Sequence, residues 1–198
     1  TVRNVVDIER LKQALVDKHA EQVVVIGGGF IGIEVAENIR LAGKQVTVVE
    51  NGPHILRTFD FGMAQLLQKE MLDKGVNLLV NEKLIDIADK HIELQSGKKI
   101  NADIVVLAVG VKPEIKLALE AGLEIGSQGA IKVNPNYVTS DPHIYAVGDA
   151  IEVYHRLLHR PVRLALAGPA QKQARKVADH IYGIAGQNRG VIGSSSIH

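Results

Sequence analysis

The sequence contains no cysteine among its 198 residues. Disulfide bonds, thiolate metal sites and cysteine nucleophiles are therefore excluded within this chain. Tryptophan is also absent and aromatic residues make up only 4% of the chain, so surfaces for stacking nucleic-acid bases are scarce. The eight histidines are scattered along the chain, and structural or surface roles are expected for each of them. We therefore expect neither a metal site nor nucleic-acid binding.

An excess of charge and a long apolar run are missing as well. The chain has 23 Lys and Arg residues against 22 Asp and Glu, a net charge of +1, and this balance favours neither nucleic acid nor anionic membranes. No apolar run is long enough to span a bilayer, and the first residues form no signal-peptide pattern. The composition, 46% hydrophobic and 23% charged, is typical of globular proteins. We expect a cytoplasmic protein without a membrane partner.

What the sequence does contain is a strand–helix–strand pattern in VVVIGGGFIGIEVAENIRLAGKQVTVVE, residues 23–50. The first residues are β-branched and too few for a helix, which predicts a buried parallel strand. Ile31, Val35 and Ile39 then recur on one helical face, and QVTVVE predicts a second strand. Together these elements form one right-handed crossover unit.

The glycines at the junction of strand and helix fit the pattern G-x-G-x-x-G. Gly27 allows a tight turn, Gly29 lets the backbone approach a pyrophosphate, and Gly32 lets helix and strand pack closely. The helix start offers unpaired N–H groups to phosphates, those of Phe30 and Ile31 among them. Because the motif follows a strand and opens a helix, it predicts a dinucleotide site. A glycine turn needed only for packing is the alternative.

Two charged residues bear on the choice of cofactor. Glu50 ends the second strand, where an acidic side chain accepts hydrogen bonds from the adenosine ribose and repels a 2′-phosphate, so NAD(H) is favoured over NADP(H). Arg57 argues the other way, since it could reach a 2′-phosphate. The alternatives are a charged strand end and a surface arginine. S-adenosylmethionine-dependent methyltransferases share a glycine loop and such an acidic residue, but the later segments of the chain disfavour them.

The rest of the chain alternates helical and strand patterns. The predicted elements are a leading helix with Asp7 as its N-cap, a helix after Phe59-Asp60 that ends at Gly75, the strand VNLLV, an antiparallel meander of KLIDIAD, HIELQ and KKI, a buried strand over 102–110, two short strands around a turn within 129–149, and a last helix from about Gly168 to Gly183.

Three segments in this order, GGGFIGIEVAE, ADIVVLAVG and TSDPHIYAVGDA, resemble the flavin-dependent pyridine nucleotide-disulfide oxidoreductases. The resemblance covers nearly the whole chain. It implies that the first segment binds NAD(P)H and that the second, with Val109 and Gly110, closes the NAD domain. It also implies that the third belongs to an FAD domain, where Gly148 and Asp149 meet the flavin and Asp149 holds the ribityl chain. Glu34 resembles a family glutamate near the nicotinamide–flavin contact, although a solvated helix face explains it equally well.

The segment LALAGPAQKQARKVADHIYG is similar to the branch that contains coenzyme A-disulfide reductases, NADH oxidases and NADH peroxidases. The resemblance implies that the helix opened by Gly168, Pro169 and Ala170 faces the flavin pyrimidine ring. A helix N-terminus there would stabilise negative charge on the reduced flavin, and proline is tolerated at this early position. The chain departs from the branch pattern at three positions, Glu114, Gln171 and Ala174.

The fold class expected from these patterns is α/β. We expect a Rossmann-like three-layer NAD-binding domain with an antiparallel meander and a leading helix over residues 1–113, followed over 114–198 by an incomplete C-terminal half of a split FAD-binding domain. The family pattern implied by the resemblance also has an N-terminal flavin-binding half and a C-terminal dimerisation domain. The chain is therefore expected to be a central fragment, inactive by itself, of an enzyme that is a homodimer when intact.

The function implied by the resemblance is transfer of hydride from NADH to flavin, and of electrons onward to a disulfide, such as coenzyme A disulfide, or to oxygen. The expected cofactors are NAD(H), with NADP(H) less favoured, and FAD in the intact protein. The alternative is a stand-alone NAD(H)-binding module that senses redox state. Asp149 and the LAGPA helix discriminate between the two, because a sensor of NAD(H) needs neither.

Overall fold

A computed structural model describes residues 1–17, 20–184 and 190–194. The chain forms two compact units, Thr1–Gly110 and Val111–His198. In chain order the first unit contains α1 (Val5–Asp17), β1 (Gln22–Ile26), α2 (Phe30–Leu41), β2 (Gln45–Val49), α3 (Phe61–Asp73), β3 (Val76–Leu79), β4 (Leu84–Ile87), β5 (His91–Leu94), β6 (Lys99–Asn101) and β7 (Ile104–Leu107).

The first unit is built on a parallel sheet with strand order β3–β2–β1–β7. Successive side chains of a strand point to opposite faces, so β1 buries both of its faces. Val24 and Ile26 pack against Ile92 and Leu94 of the antiparallel sheet β4–β5–β6. On the other side α2 contacts β1 and β2. Helices, parallel sheet and meander therefore form the three layers that the sequence predicts.

The helix starts show one correct and one wrong prediction. Asp60 caps α3, as its side chain accepts a hydrogen bond from the Met63 N–H. Asp7 is not the N-cap of α1, because it lies inside the first helical turn and its own N–H donates to the Asn4 side chain at 3.0 Å. Asn4 thus takes the capping role, since asparagine caps a helix as well as aspartate does.

A carboxylate joins β1 to β7 at the end of the sheet where both strands begin. The Asp103 Oδ2 accepts hydrogen bonds from the N–H groups of Gln22 at 2.9 Å and Glu21 at 3.0 Å. These two backbone donors lower the pKa of Asp103 below the ordinary range of an aspartate. Asp103 therefore fixes the alignment of β1 with the edge strand β7.

The second unit is smaller and less regular. In chain order it contains α4 (Lys116–Glu120), β8 (Ile131–Lys132), a 3-10 turn (Gly148–Ala150), β9 (Ile151–His155), β10 (Arg160–Val162) and α5 (Ala167–Ile181). Its sheet has the order β10–β9–β8, with β8 parallel and β10 antiparallel to β9. Within 129–149, among the described residues, β8 forms together with two antiparallel bridges, one between Val138 and Tyr145 and one from Ile131 to Ile125.

A buried apolar cluster holds the second unit together. Its fully buried members are Ala118, Ile131, Tyr137, Ile151 and Val153. Burial raises the pKa of the Tyr137 hydroxyl. The sequence did not predict α4 or the β9–β10 hairpin. In the described parts of both units no helix combines the length and apolar character that a membrane crossing requires.

The predicted fold class is confirmed: a mixed α/β fold that has a parallel sheet with a crossover helix and an antiparallel meander.

Candidate functional site

Gly27 makes the turn that leads from β1 into α2. Its φ is +109°, in the region that favours glycine, and its N–H donates to the Val49 carbonyl at 2.8 Å. A Cβ at this position would collide with the Ala108 carbonyl oxygen. The turn therefore requires glycine for two separate reasons, backbone angle and close approach of the chain after β7.

Gly32 serves the packing of α2 onto that turn. It is buried, and a Cβ built on it would collide with the Gly27 carbonyl oxygen. Even a single methyl group does not fit between α2 and the loop at this point, as expected for the third glycine of the motif.

Gly29 differs from both of these glycines. It is the N-cap of α2 and is exposed, with φ −82° and ψ −178°, angles that any residue adopts. A Cβ built on it would meet no described atom within 4 Å, and no side chain caps the helix start. Packing therefore does not explain this glycine, which leaves open space in front of the N–H groups of Phe30 and Ile31.

Gly28 was missed in the sequence analysis. It is buried, and a Cβ on it would lie 2.7 Å from the Ile55 Cγ2, while its carbonyl accepts the Leu56 N–H at 2.8 Å. Leu56 is buried and has φ +46°, a region that a leucine rarely adopts. The run of three glycines was the signal: the middle one makes room for the loop after β2.

Glu50 is held beside the glycine loop by two backbone donors. Its Oε2 accepts the Gly28 N–H at 2.8 Å, and its Oε1 accepts the Gly52 N–H at 2.6 Å. The side chain is half-buried. Because each carboxylate oxygen can accept more than one hydrogen bond, Glu50 is fixed in place and retains acceptor capacity for a ligand.

Arg57 is exposed and lies close to the same loop. A Cβ built on Gly52 would stand 2.6 Å from the Arg57 Cδ and 3.0 Å from the Glu50 Oε1. Glu50 and Arg57 therefore flank Gly52 from two sides. The structure thus brings together the two residues that argue for opposite cofactor choices.

The remaining predicted residues of the first unit are Val109, Gly110 and Glu34, and a Cβ built on Gly27 would lie 3.5 Å from the Val109 nitrogen. Val109 and Gly110 follow β7 and are both exposed, and Gly110 has φ +89°. Glu34 is exposed on α2, where it lines an apolar cavity of about 590 Å³ between α1 and α2 together with Phe30 and Ile31. Glu34 is thus placed on the helix near its start, on a different side of the loop from Glu50.

In the second unit the structure brings the two predicted flavin segments together. Gly148 and Asp149 form the 3-10 turn before β9, and a Cβ on Gly148 would lie 3.8 Å from the Ala170 Cβ. Gly168, Pro169 and Ala170 form the first turn of α5, whose start carries no side-chain cap. The Asp149 side chain is exposed.

Gln173 joins these two segments and was not predicted. Its side chain is 2% exposed, and its Oε1 accepts the Gly148 N–H at 2.7 Å. Gly148 has φ +80°, so the amide holds a turn that glycine makes accessible. A polar residue on the buried side of α5 was the available signal, although helical spacing alone does not show that it reaches the turn.

No group of three or more His, Cys, Asp and Glu residues that could hold a metal ion is found in the part of the chain that the structure describes.

Comparison with known proteins gives consistent matches. Residues 1–174 match the family described as pyridine nucleotide-disulphide oxidoreductase. The chain is 35% identical over 193 residues to the NAD(P)H sulfur oxidoreductase (CoA-dependent) of Pyrococcus abyssi. The alignment covers 96% of this chain and 43% of that protein. It is 37% identical over 188 residues to the rubredoxin-NAD(+) reductase of Pseudomonas putida, covering 92% of this chain and 48% of that protein.

Among solved structures, reduced Bacillus anthracis CoADR-RHD superposes with a TM-score of 0.95 at 40% identity, covering 98% of this chain and 35% of that one. The chain spans between 40% and 48% of the length of the curated relatives it matches. Relatives named coenzyme A disulfide reductase and NADH oxidase are among them, which confirms the branch that the sequence resembles. The chain therefore belongs to the pyridine nucleotide-disulphide oxidoreductase family.

Proposed function

We propose that this chain is the NAD(H)-binding portion of an FAD-dependent disulfide oxidoreductase, with part of the flavin-binding region attached. The observation that carries the proposal is the open space at Gly29. Neither backbone angle nor packing requires glycine there, whereas close approach of a pyrophosphate to the helix start does. When bound, NADH would supply a hydride, and FAD in the intact enzyme would supply the means to carry its electrons to a disulfide or to oxygen.

The nucleotide-binding roles follow from the geometry of the loop. Phe30 and Ile31 present backbone N–H groups to the phosphates, and the Glu50 carboxylate accepts from the ribose hydroxyls. Because Gly28 and Gly52 already orient that carboxylate, a ligand does not have to order it on binding. A fixed anion at this place disfavours a 2′-phosphate, so we propose NADH as the preferred donor, with Arg57 as the residue that permits weaker binding of NADPH.

On the flavin side, Asp149 is proposed to hold the ribityl chain and the first turn of α5 to face the pyrimidine ring. The exposed Asp149 carboxylate and the uncapped start of α5 leave acceptor and donor groups available for this. Val109 and Gly110 are proposed to line the nicotinamide end of the first unit. Glu34 is proposed to orient the nicotinamide, since it lies one turn into α2 beside the proposed phosphate site.

The names of some relatives support a sulfur-centred electron acceptor, whereas others are an NADH oxidase and a rubredoxin-NAD(+) reductase. The former include a coenzyme A disulfide reductase and a persulfide reductase. We therefore propose a disulfide such as coenzyme A disulfide, or a related persulfide, as the acceptor of the intact enzyme, and a homodimer as its assembly. The match of the family over residues 1–174 reaches beyond the NAD-binding unit, which disfavours a module that only senses NAD(H).

The test of the proposal is a single methyl group at Gly29. Gly29→Ala is expected to leave the free energy of unfolding within about 1 kcal/mol of the original chain, because the Cβ meets no neighbour. It is expected to weaken NADH binding at least tenfold, measured by isothermal titration. Gly62→Ala, the same change on α3 in the same unit, is the matched control and should leave NADH affinity unchanged. Equal affinity in both variants would contradict the proposed phosphate site.

A second measurement concerns turnover. Hydride transfer requires nicotinamide and flavin at near-contact distance, and this chain contributes the nucleotide side and part of the flavin region. We expect the purified 198-residue chain to bind NADH yet to show no flavin-dependent NADH oxidation when FAD is added. Steady oxidation that rises with FAD concentration would refute this.

A further inference from the structure

The turn of the β9–β10 hairpin presents two adjacent leucines to solvent. The turn spans residues 156–159, between Ile151–His155 and Arg160–Val162. Leu157 is 67% exposed and Leu158 is 52% exposed. Both lie at the centre of the turn, so they form a convex apolar apex and not part of a groove. We name residues 154–163 the basic hairpin.

Arginines flank this apex in the sequence, and no exposed Asp or Glu residue lies close to it in the sequence. Arg156, Arg160 and Arg163 are all exposed. The stretch 153–178 contains six Lys and Arg residues and no Asp or Glu. The acid directly before it, Glu152, is 9% exposed and accepts the Gln128 N–H at 2.8 Å. The net charge of +1 therefore conceals a strongly cationic segment.

Backbone and side-chain contacts hold the basic hairpin in shape. The Arg156 N–H donates to the Val191 carbonyl at 3.0 Å, which fixes the start of the turn. The Leu158 N–H donates to the His155 Nδ1 at 3.2 Å across the turn. His159 has φ +49°, where glycine would be free of strain. Histidine is among the non-glycine residues that adopt this region most often, and the His159 Nδ1 lies 3.3 Å from the Tyr154 hydroxyl, a contact that helps to hold the turn.

We propose that the basic hairpin docks on the surface of an anionic phospholipid bilayer. Leu157 and Leu158 would enter the boundary between headgroups and acyl chains, and the arginines on both sides would bind lipid phosphates. Arginine recognises phosphate through several planar donors, and each basic residue near an anionic surface adds to the attraction. An apolar wedge combined with cationic flanks is the arrangement that interfacial binding requires.

A convex apex favours a bilayer over an acidic protein. Protein interfaces place their apolar anchors in packed pockets of the partner, so two projecting leucines would need a matching concave site. A bilayer accepts a projecting apex without such a site. The expectation of no membrane partner rested on the net charge, on the lack of an apolar run that could span a bilayer and on the lack of a signal-peptide pattern, and none of these bears on a short exposed turn with local positive charge. The proposal is independent of the proposed oxidoreductase function, because the basic hairpin contains none of the proposed cofactor residues.

The absence of tryptophan makes a direct test available. Leu158→Trp creates a single reporter at the apex, and Leu117→Trp creates a matched reporter on α4, at a leucine that is 80% exposed. With phosphatidylcholine vesicles that contain phosphatidylserine, we expect the emission of the apex reporter to shift to shorter wavelength while the α4 reporter stays unchanged. Vesicles of phosphatidylcholine alone, or high salt, should abolish the shift.

Charge removal tests the arginines separately from the leucines. Arg156→Gln with Arg160→Gln should weaken binding to the phosphatidylserine vesicles on the order of 25-fold, from about fivefold for each residue. Lys112→Gln with Lys116→Gln removes the same charge elsewhere in the second unit and should change binding much less. The double variant Leu157→Ser with Leu158→Ser keeps the arginines and removes the apolar apex. It should not bind the vesicles even at high lipid concentration.

The outcomes distinguish the alternatives. Equal loss in the two charge variants would overturn the proposal, since binding would then follow net charge only. Absence of a shift in the apex reporter with anionic vesicles would overturn it as well. A shift with soluble poly-glutamate as large as that with vesicles would replace the bilayer by an acidic protein partner. NADH affinity should be unaffected in every hairpin variant, so failure here leaves the proposed function untouched.

Discussion

The two loops proposed to meet cofactors solve the same problem in different ways. Each has a glycine N–H that donates to a side-chain oxygen from a later part of the chain. In the first unit the acceptor is the half-buried Glu50 carboxylate, 2.8 Å from the Gly28 nitrogen. In the second it is the buried Gln173 amide, 2.7 Å from the Gly148 nitrogen.

This difference separates two kinds of role. A half-buried carboxylate has acceptor capacity left after it binds the backbone, so Glu50 both shapes the loop and remains available to a ligand. A neutral amide that is 2% exposed can only shape the loop. In the second unit the proposed ligand-binding role belongs to Asp149, whose side chain is exposed. Gln173 is therefore proposed as a positioning residue, and Glu50 is proposed to combine both roles.

The largest expected effect compares the turn glycines of the two loops. Gly27→Ala should lower the free energy of unfolding by about 3 kcal/mol or more, because its Cβ would collide with the Ala108 carbonyl. Gly148→Ala should lower it by only about 1–2 kcal/mol, since its Cβ would meet Ala170 at 3.8 Å and only the positive φ is unfavourable. Urea denaturation with hydrogen exchange in each unit measures both. Equal losses would show that the first loop is no more tightly packed than the second.

The next effect tests Gln173 as a positioning residue. Gln173→Leu leaves the Gly148 N–H without its acceptor and should destabilise the second unit by about 2 kcal/mol. Gln171→Leu, an exposed position on the same helix, is the matched control and should be nearly neutral. Faster hydrogen exchange at Gly148 in the first variant, but not in the second, would show that the amide holds the turn. Unchanged exchange there would contradict the role.

A smaller effect tests the double role of Glu50. Glu50→Gln keeps an acceptor oxygen but removes the charge, and we expect NADH affinity to fall about tenfold while NADPH affinity rises relative to it. In the Glu50→Gln background, Arg57→Gln should remove that gain for NADPH. Isothermal titration of the original chain and of the two variants with both nucleotides gives the six affinities. Preference for NADPH in the unaltered chain would refute the role of Glu50.

The sequence predicted the first loop far better than the second. Strand, helix and glycine positions of the first unit follow from local rules: β-branched residues, helical spacing, and glycines where the chain turns. Gly28 was missed because a tertiary contact requires glycine there: Ile55 packs against it from a loop 27 positions later in the chain. Glu50 was found because a motif places it, but its two backbone donors could not be read from the sequence.

In the second unit the site was located by resemblance and not by physical pattern. The β9–β10 hairpin has charged and apolar residues mixed without clean alternation, so no strand signal stands out in YHRLLHR. Helix α4 has only five residues, too few for a periodic signal. Asn4 and Asp7 are both good N-caps, and only the backbone decides between them.

The smallest expected effect concerns Asp103, a carboxylate that resembles Glu50 but lies at the opposite end of β1. Asp103 also accepts two backbone N–H groups, but it lies at the end of the sheet away from the glycine loop. Its pKa is lowered in the folded chain, so its contribution to stability is present above the unfolded pKa of about 3.9 and is lost as the pH falls through the folded value. Asp103→Asn should therefore be slightly less stable than the original chain near neutral pH, and the difference should begin to shrink below about pH 4 and vanish below the folded pKa of Asp103.

The same variant sharpens the comparison with Glu50. Asp103→Asn should leave NADH affinity unchanged, because the two hydrogen bonds that Asp103 accepts from backbone N–H groups only align β1 with β7. Urea denaturation across the acid range and titration with NADH at neutral pH measure the two halves of the prediction. A loss of NADH affinity in Asp103→Asn similar to that in Glu50→Gln would show that both carboxylates act through the alignment of β1. Glu50 would then bind no ribose, and its role in the choice of NADH would have to be abandoned.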